Sequence, residues 1–122
     1  MGTFKVKCKI GNIVNRKKSA VMSEMLVDTG SEYTWIPGKV LEKLDVQREK
    51  KDIGFMMANG QVVTRSVGFA LLTYDEYFTV DEVVFAEKGD LLLLGARTLE
   101  GLSLIVDPRK KKLVASGPIP AA

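Results

Sequence analysis

The chain contains no histidine. That absence excludes Ser-His and Cys-His nucleophilic catalysis and removes the commonest zinc ligand. A hydrolase built from this sequence must work with carboxylates or with an unusual nucleophile. Cysteine is almost missing as well: Cys8 stands alone, which rules out an internal disulfide and a cysteine metal cluster. Long apolar runs are absent, and no stretch approaches the roughly 20 residues of a membrane span. The segment Met1-Gly2-Thr3-Phe4-Lys5 lacks the apolar core of a signal peptide, so a cytoplasmic location without membrane association is expected. Charge of one sign is scarce too: 18 Lys and Arg stand against 15 Asp and Glu, a net charge of +3. The densest basic run, Arg109-Lys110-Lys111-Lys112, follows Asp107-Pro108 and precedes a short apolar run, which reads as a charged hairpin turn. Phe4 is the one aromatic residue among the basic positions of the first strand, so no stacking platform exists and nucleic acid is not an expected partner.

What is present suits a single small domain. The 122 residues are 46% hydrophobic and 27% charged, enough for a genuine but modest core. Residues 3 to 10 alternate strictly, with Phe4, Val6, Cys8 and Ile10 on one face and Lys5, Lys7 and Lys9 on the other, which predicts a half-buried strand. In that pattern Cys8 reads as a small buried apolar residue. A turn at Gly11-Asn12 and a polar loop over 15–19 lead into a strand over 20–27, and a further short strand runs from Glu32 to Ile36. Pro37-Gly38 ends it, and Val40, Leu41 and Leu44 then give the apolar face of a helix of about two turns. From Ile53 to Tyr74 the pattern predicts a long hairpin turning at Asn59-Gly60, a pair suited to a two-residue turn, with a bulge or bend at Gly68. Strands are expected at Tyr77–Phe85 and, fully buried, at Leu91–Leu94, and a short helix over Arg97–Glu100. Leu102–Val106 and Leu113–Ala115 are expected to finish the sheet across the basic turn. No repeat or low-complexity segment interrupts this all-β pattern with two short helices.

The chemistry concentrates in Met25-Leu26-Val27-Asp28-Thr29-Gly30-Ser31, where an apolar strand end delivers a carboxylate onto a glycine turn flanked by hydroxyls. Taken alone, an Asp-Thr-Gly tripeptide is usually an ordinary turn. Two further segments give it context: Ala58-Asn59-Gly60-Gln61 between apolar runs, and Leu91-Leu92-Leu93-Leu94-Gly95-Ala96 late in the chain. In order and spacing, the three segments resemble the active-site loop, flap hairpin and late apolar-apolar-Gly motif of the retropepsin-like aspartic proteases, the single-lobed relatives of pepsin. The run from Leu94 to Leu102, continued by Val106-Asp107-Pro108, is similar to the prokaryotic branch in particular. The resemblance covers about residues 3 to 115 of one domain spanning 1–122, leaving 116–122 as a tail.

The resemblance implies a single-lobe acid-protease barrel with a flap hairpin, acting as an aspartic endopeptidase on peptide or unfolded protein without metal or cofactor. Because one chain carries one Asp-Thr-Gly, it implies a homodimer in which two Asp28 carboxylates hold the attacking water. Thr29 would hydrogen-bond across the dimer axis, Gly30 would admit substrate backbone, and Ser31 would bond to the outer oxygen of Asp28. Met57, Ala58, Asn59 and Gly60 would form the closing tip, and Leu94 and Gly95 would pack beneath the catalytic loop. Met56 and Met57 offer adaptable apolar contacts to substrate, or plain core packing. Two departures stand out. Retroviral members place Arg directly after the late glycine, whereas Ala96 and then Arg97 follow here, so a Glu32–Arg97 brace is the available substitute. Pro118 and Pro120 suit a central strand poorly, which argues against an interface woven from both chain ends. A sugar-kinase or actin-like phosphate loop needs a far longer chain, and the other motifs of a small trimeric nucleotide hydrolase are missing. The competing reading is a catalytically silent dimeric module that binds peptides or proteins on the same fold.

Overall fold

A computed structural model describes residues 3–121. Nine strands and two short helices follow in the order β1 (Lys5–Gly11), β2 (Ser19–Val27), β3 (Thr34–Pro37), α1 (Gly38–Lys43), β4 (Lys50–Met56), β5 (Val62–Tyr74), β6 (Tyr77–Ala86), β7 (Leu93–Leu94), α2 (Ala96–Gly101), β8 (Leu104–Asp107) and β9 (Lys112–Ala115). Seven strands form one mixed sheet in the order β1-β2-β7-β3-β6-β5-β4, and a further β1–β5 pairing closes it on itself. The fold is the expected all-β barrel. The alternation in β1 is realised: Cys8 and Ile10 are buried while Lys5, Lys7 and Lys9 face solvent. Burial pushes the Cys8 thiol up to about 11, so it stays protonated and inert at neutral pH.

Two parallel pairings position the site. β2 runs parallel to β7, with Val27 opposite Leu94, and β3 runs parallel to β6. The residues that follow β2 and β7, Asp28 and Gly95, therefore emerge side by side at the same end of the barrel. The main core beneath them contains Met25, Val27, Ile36, Leu41, Leu72, Phe85, Leu94 and Leu99. A second cluster of Trp35, Val67 and Val84, with Tyr33, Ile53, Phe55, Met57 and Leu93 packed on it, roots the long β4–β5 hairpin to the barrel wall.

Four expectations need correction. The β4–β5 connection is not a two-residue turn: Gly60 N–H donates to Met57 O (2.9 Å) and Met57 N–H to Gln61 O (2.7 Å), enclosing Ala58, Asn59 and Gly60. Gly60 alone takes positive φ (+85°) there, while Asn59 accepts from the Gln61 amide through its side chain, the arrangement of a three-residue loop with a glycine bulge. Gly68 sits in unbroken register opposite Val83. It is needed because the Gln47 carbonyl crosses over it, 2.3 Å from where a Cβ would lie. The bulge falls instead on the partner strand, between Lys50 and Ile53, where Asp52 takes φ +56°. Of the predicted buried strand over 91–94, only Leu93 and Leu94 pair, and Leu91 is 64% exposed. Finally, β8 and β9 do not finish the main sheet but form a separate two-stranded one, fastened to the core through Leu104 and Leu113.

Candidate active site

Asp28 is the first residue beyond β2, and its backbone is pinned before its side chain is considered. Its N–H donates to Leu94 O at 3.0 Å, so the neighbouring parallel strand fixes where the loop begins. The loop then folds on itself: Gly30 N–H donates to Asp28 Oδ1 (2.9 Å) and Ser31 N–H to Asp28 O (3.2 Å). Asp28 is half-buried and Thr29 is exposed, with no hydrogen bond from the Thr29 hydroxyl among the described residues. Ser31 does not reach the outer oxygen of Asp28; its hydroxyl donates to Tyr33 O at 2.9 Å, stiffening the exit of the loop.

Leu94 and Gly95 pack against this loop. A Cβ on Gly95 would sit 2.4 Å from Tyr33 O and 2.9 Å from Ser31 O, so no other residue allows the two segments to approach this closely. The contact continues as Ala96 N–H donates to Ser31 O (2.7 Å) and Arg97 N–H to Glu32 O (3.1 Å). That last bond is the whole of the Glu32–Arg97 relation. The Arg97 guanidinium lies 3.0 Å from Glu82 and stacks 4.7 Å from the centre of the Tyr33 ring, so the proposed side-chain brace is not formed within the chain. Lys50 joins Glu82 from the other side, and these two cations hold the Glu82 carboxyl below the usual carboxylate range.

A cleft of about 550 Å³ opens between the loop and the hairpin. Gly30, Ser31 and Glu32 form its floor, Tyr33, Trp35 and Leu93 its back wall, and Ile53, Phe55 and Met57 its roof. Phe55 meets Tyr33 and Trp35 edge-on, with centroids 5.4 and 5.3 Å apart, so aromatic contacts seat the hairpin arm on the barrel. Met56 and Met57 both border the cleft; Met56 is 77% exposed. Asp28, Thr29 and the tip residues Ala58, Asn59 and Gly60 lie outside its lining.

Sequence reasoning missed an ion pair that staples the hairpin to the loop before β7. Arg65 on β5 grips Asp90 in a two-pronged contact at 2.8 and 2.9 Å, and Asp90 also accepts from the Glu87 amide at 2.7 Å. Both side chains are nearly buried, at 13% and 10% exposure. The Arg65 hydrogen bonds hold the Asp90 carboxyl below its ordinary value, helped by the Glu87 N–H. A depressed carboxyl contributes stability above its unfolded value near about 3.9 and loses it as pH falls through the lower folded value. The staple is therefore intact in mildly acidic solution and fails only in strong acid. Asp90→Asn should raise amide exchange over 62–66 and 87–91 at pH 5 by roughly tenfold or more, as expected for losing a charge-assisted pair worth about 1.5–3 kcal/mol. Equal exchange in the variant and the wild type, corrected for intrinsic rates, would mean the staple does not hold the hairpin.

A carboxylate on a glycine loop, a parallel strand beneath it and an apolar hairpin roofing a cleft define the aspartic-protease class in its single-lobed form. Sequence comparison agrees: the family described as "gag-polyprotein putative aspartyl protease" matches residues 13–101, which include the Asp28 loop, the hairpin and the Leu94-Gly95 segment. The chain belongs to this retropepsin-like family of aspartyl proteases. No curated protein matches it in sequence. Among the described residues no helix is long and apolar enough to cross a membrane.

Proposed function

We propose that the chain is an aspartic endopeptidase that works as a homodimer on peptides or unfolded protein. The observation that carries this reading is the single Asp28-Thr29-Gly30 loop, pinned by Leu94 O and turned outward at one end of the barrel. Hydrolysis of an amide without a metal or a covalent intermediate needs one group to take a proton from water and another to give one to the carbonyl or leaving amine. Two carboxylates close together share one proton, because both cannot ionise side by side, and so supply both roles. One subunit has one such carboxylate, and a two-fold axis beside Thr29 would bring the second. The exposure of Thr29 and its lack of a partner within the described chain support that position for the axis. The apolar roof and back wall of the cleft favour a substrate side chain of large apolar type, and the hairpin would exclude water as it closes.

The test is cleavage of a denatured protein followed across pH. The rate should peak in mildly acidic solution and fall on both sides, because either losing the shared proton or adding a second removes one role. A rate that keeps climbing through neutral into alkaline pH would assign the proton transfer to a different base.

A further inference from the structure

We propose that Asp81, Thr98 and Thr34 form a one-way hydrogen-bond relay that positions the Asp28 loop through the amide of Gly95. The inference rests on reading Asp28 as the reacting carboxylate. Gly95 N–H donates to Thr34 Oγ1 at 3.0 Å, Thr34 and Thr98 hydroxyls meet at 2.6 Å, and Thr98 donates to Asp81 Oδ2 at 2.9 Å. The direction of every bond follows from the two ends. A carboxylate can only accept, so Thr98 spends its one hydroxyl proton on Asp81 and must accept from Thr34, while the peptide N–H of Gly95 can only donate and so finds its acceptor in Thr34. Asp81 completes the chain by accepting the Glu82 amide on its other oxygen at 2.7 Å. Both threonines are fully buried, so neither hydroxyl has water as a substitute partner.

The relay ends at the one hydrogen bond between the two site segments, among the described residues, that runs through a side chain. Residues 94–97 are laced to 28–34 by four rungs: Asp28 N–H to Leu94 O, Gly95 N–H to Thr34, Ala96 N–H to Ser31 O and Arg97 N–H to Glu32 O. Three are backbone to backbone, and the Gly95–Thr34 rung alone runs through a side chain. It adjoins the Leu94 carbonyl that fixes the Asp28 amide. Loss of the Thr34 hydroxyl leaves a buried N–H without a partner and frees Leu94-Gly95 to shift, carrying the Asp28 carboxylate with it. In a site where two carboxylates from two subunits must share one proton, a shift of a few tenths of an ångström changes the chemistry more than substrate binding. Thr34, Thr98 and Asp81 are on this account positioning residues.

The experiment compares Thr34→Val, Thr34→Ser and Asp81→Asn with wild type in the 122-residue chain, measuring kcat, KM and amide exchange at Gly95 and Asp28. Thr34→Val should lower kcat roughly ten- to a hundredfold with KM within about twofold, and should speed exchange at both amides. Thr34→Ser keeps a hydroxyl and should restore kcat to within about threefold of wild type. Asp81→Asn should lower kcat by roughly three- to tenfold, because asparagine keeps an acceptor oxygen at only one of the two positions that Asp81 Oδ1 and Oδ2 fill, so either the Glu82 N–H or Thr98 loses its acceptor. A folded Thr34→Val protein with wild-type kcat, or a serine variant as impaired as the valine one, would overturn the relay. Should Thr34→Val fail to fold, Asp81→Asn decides by the same criteria. If wild type itself cleaves nothing, the peptidase reading fails separately, and unchanged exchange at Gly95 in the variants would still overturn the relay.

Discussion

Asp28→Asn is expected to abolish peptide cleavage, lowering the rate by roughly a thousandfold or more, while leaving the fold intact. The substitution is nearly isosteric. Asp28 Oδ1 accepts the Gly30 N–H at 2.9 Å, and an asparagine carbonyl oxygen in the same rotamer accepts it equally well. The backbone bond from residue 28 to Leu94 O does not depend on the side chain. Asp28 is only half-buried, so the change should alter stability by no more than about 0.5–1 kcal/mol. What disappears is the capacity to hold and release a proton. The measurement is the cleavage rate of purified, folded Asp28→Asn protein beside its thermal unfolding curve. Cleavage retained by a variant with a wild-type melting temperature would move the chemistry to another residue.

The parts legible in the sequence were those encoded over short distances. Alternation in β1 and the apolar run into Asp28 each lie in contiguous residues, and both segments form strands where the pattern places them. The errors have a common cause in tertiary contact. Gly68 reads as a bulge in sequence because glycine weakens a strand, yet it is required by a carbonyl 21 positions earlier in the chain. Leu91 looks like core because it opens a run of four leucines, but only the last two belong to a strand, the Leu92 carbonyl does no more than accept the Leu26 N–H, and Asp90 before the run is drawn away by Arg65. Ser31 follows the family expectation in position but not in bonding, since its hydroxyl donates to the Tyr33 carbonyl. Thr34 carried a usable signal. It alternates with Tyr33 and Trp35 and so shares the core-facing side with Ile36, where a hydroxyl needs a partner. Its partners lie 61 and 64 residues away, and no local pattern names them.

Mixing wild type with excess Asp28→Asn protein should suppress activity beyond simple dilution, provided subunits exchange. The argument starts from the count of carboxylates. Each chain has one Asp-Thr-Gly loop, and its Thr29 is exposed without a partner among the described residues. A lone subunit can neither share a proton between two Asp28 groups nor tie its loop across an axis. In a tenfold excess of the variant, random pairing leaves only about one wild-type chain in eleven in a dimer with two carboxylates, so activity per wild-type chain should fall roughly tenfold. Dilution of wild type alone through its dimer dissociation constant should lower specific activity in step with the loss of dimer mass. The two experiments separate association from chemistry, because the variant should dimerise as well as wild type and yet contribute no proton. Exchange is verified by the mass of mixed dimers carrying an isotopic label on one partner. If mixed dimers form and activity still follows the number of wild-type chains, then Asp28 acts within one subunit and the shared-carboxylate mechanism is wrong.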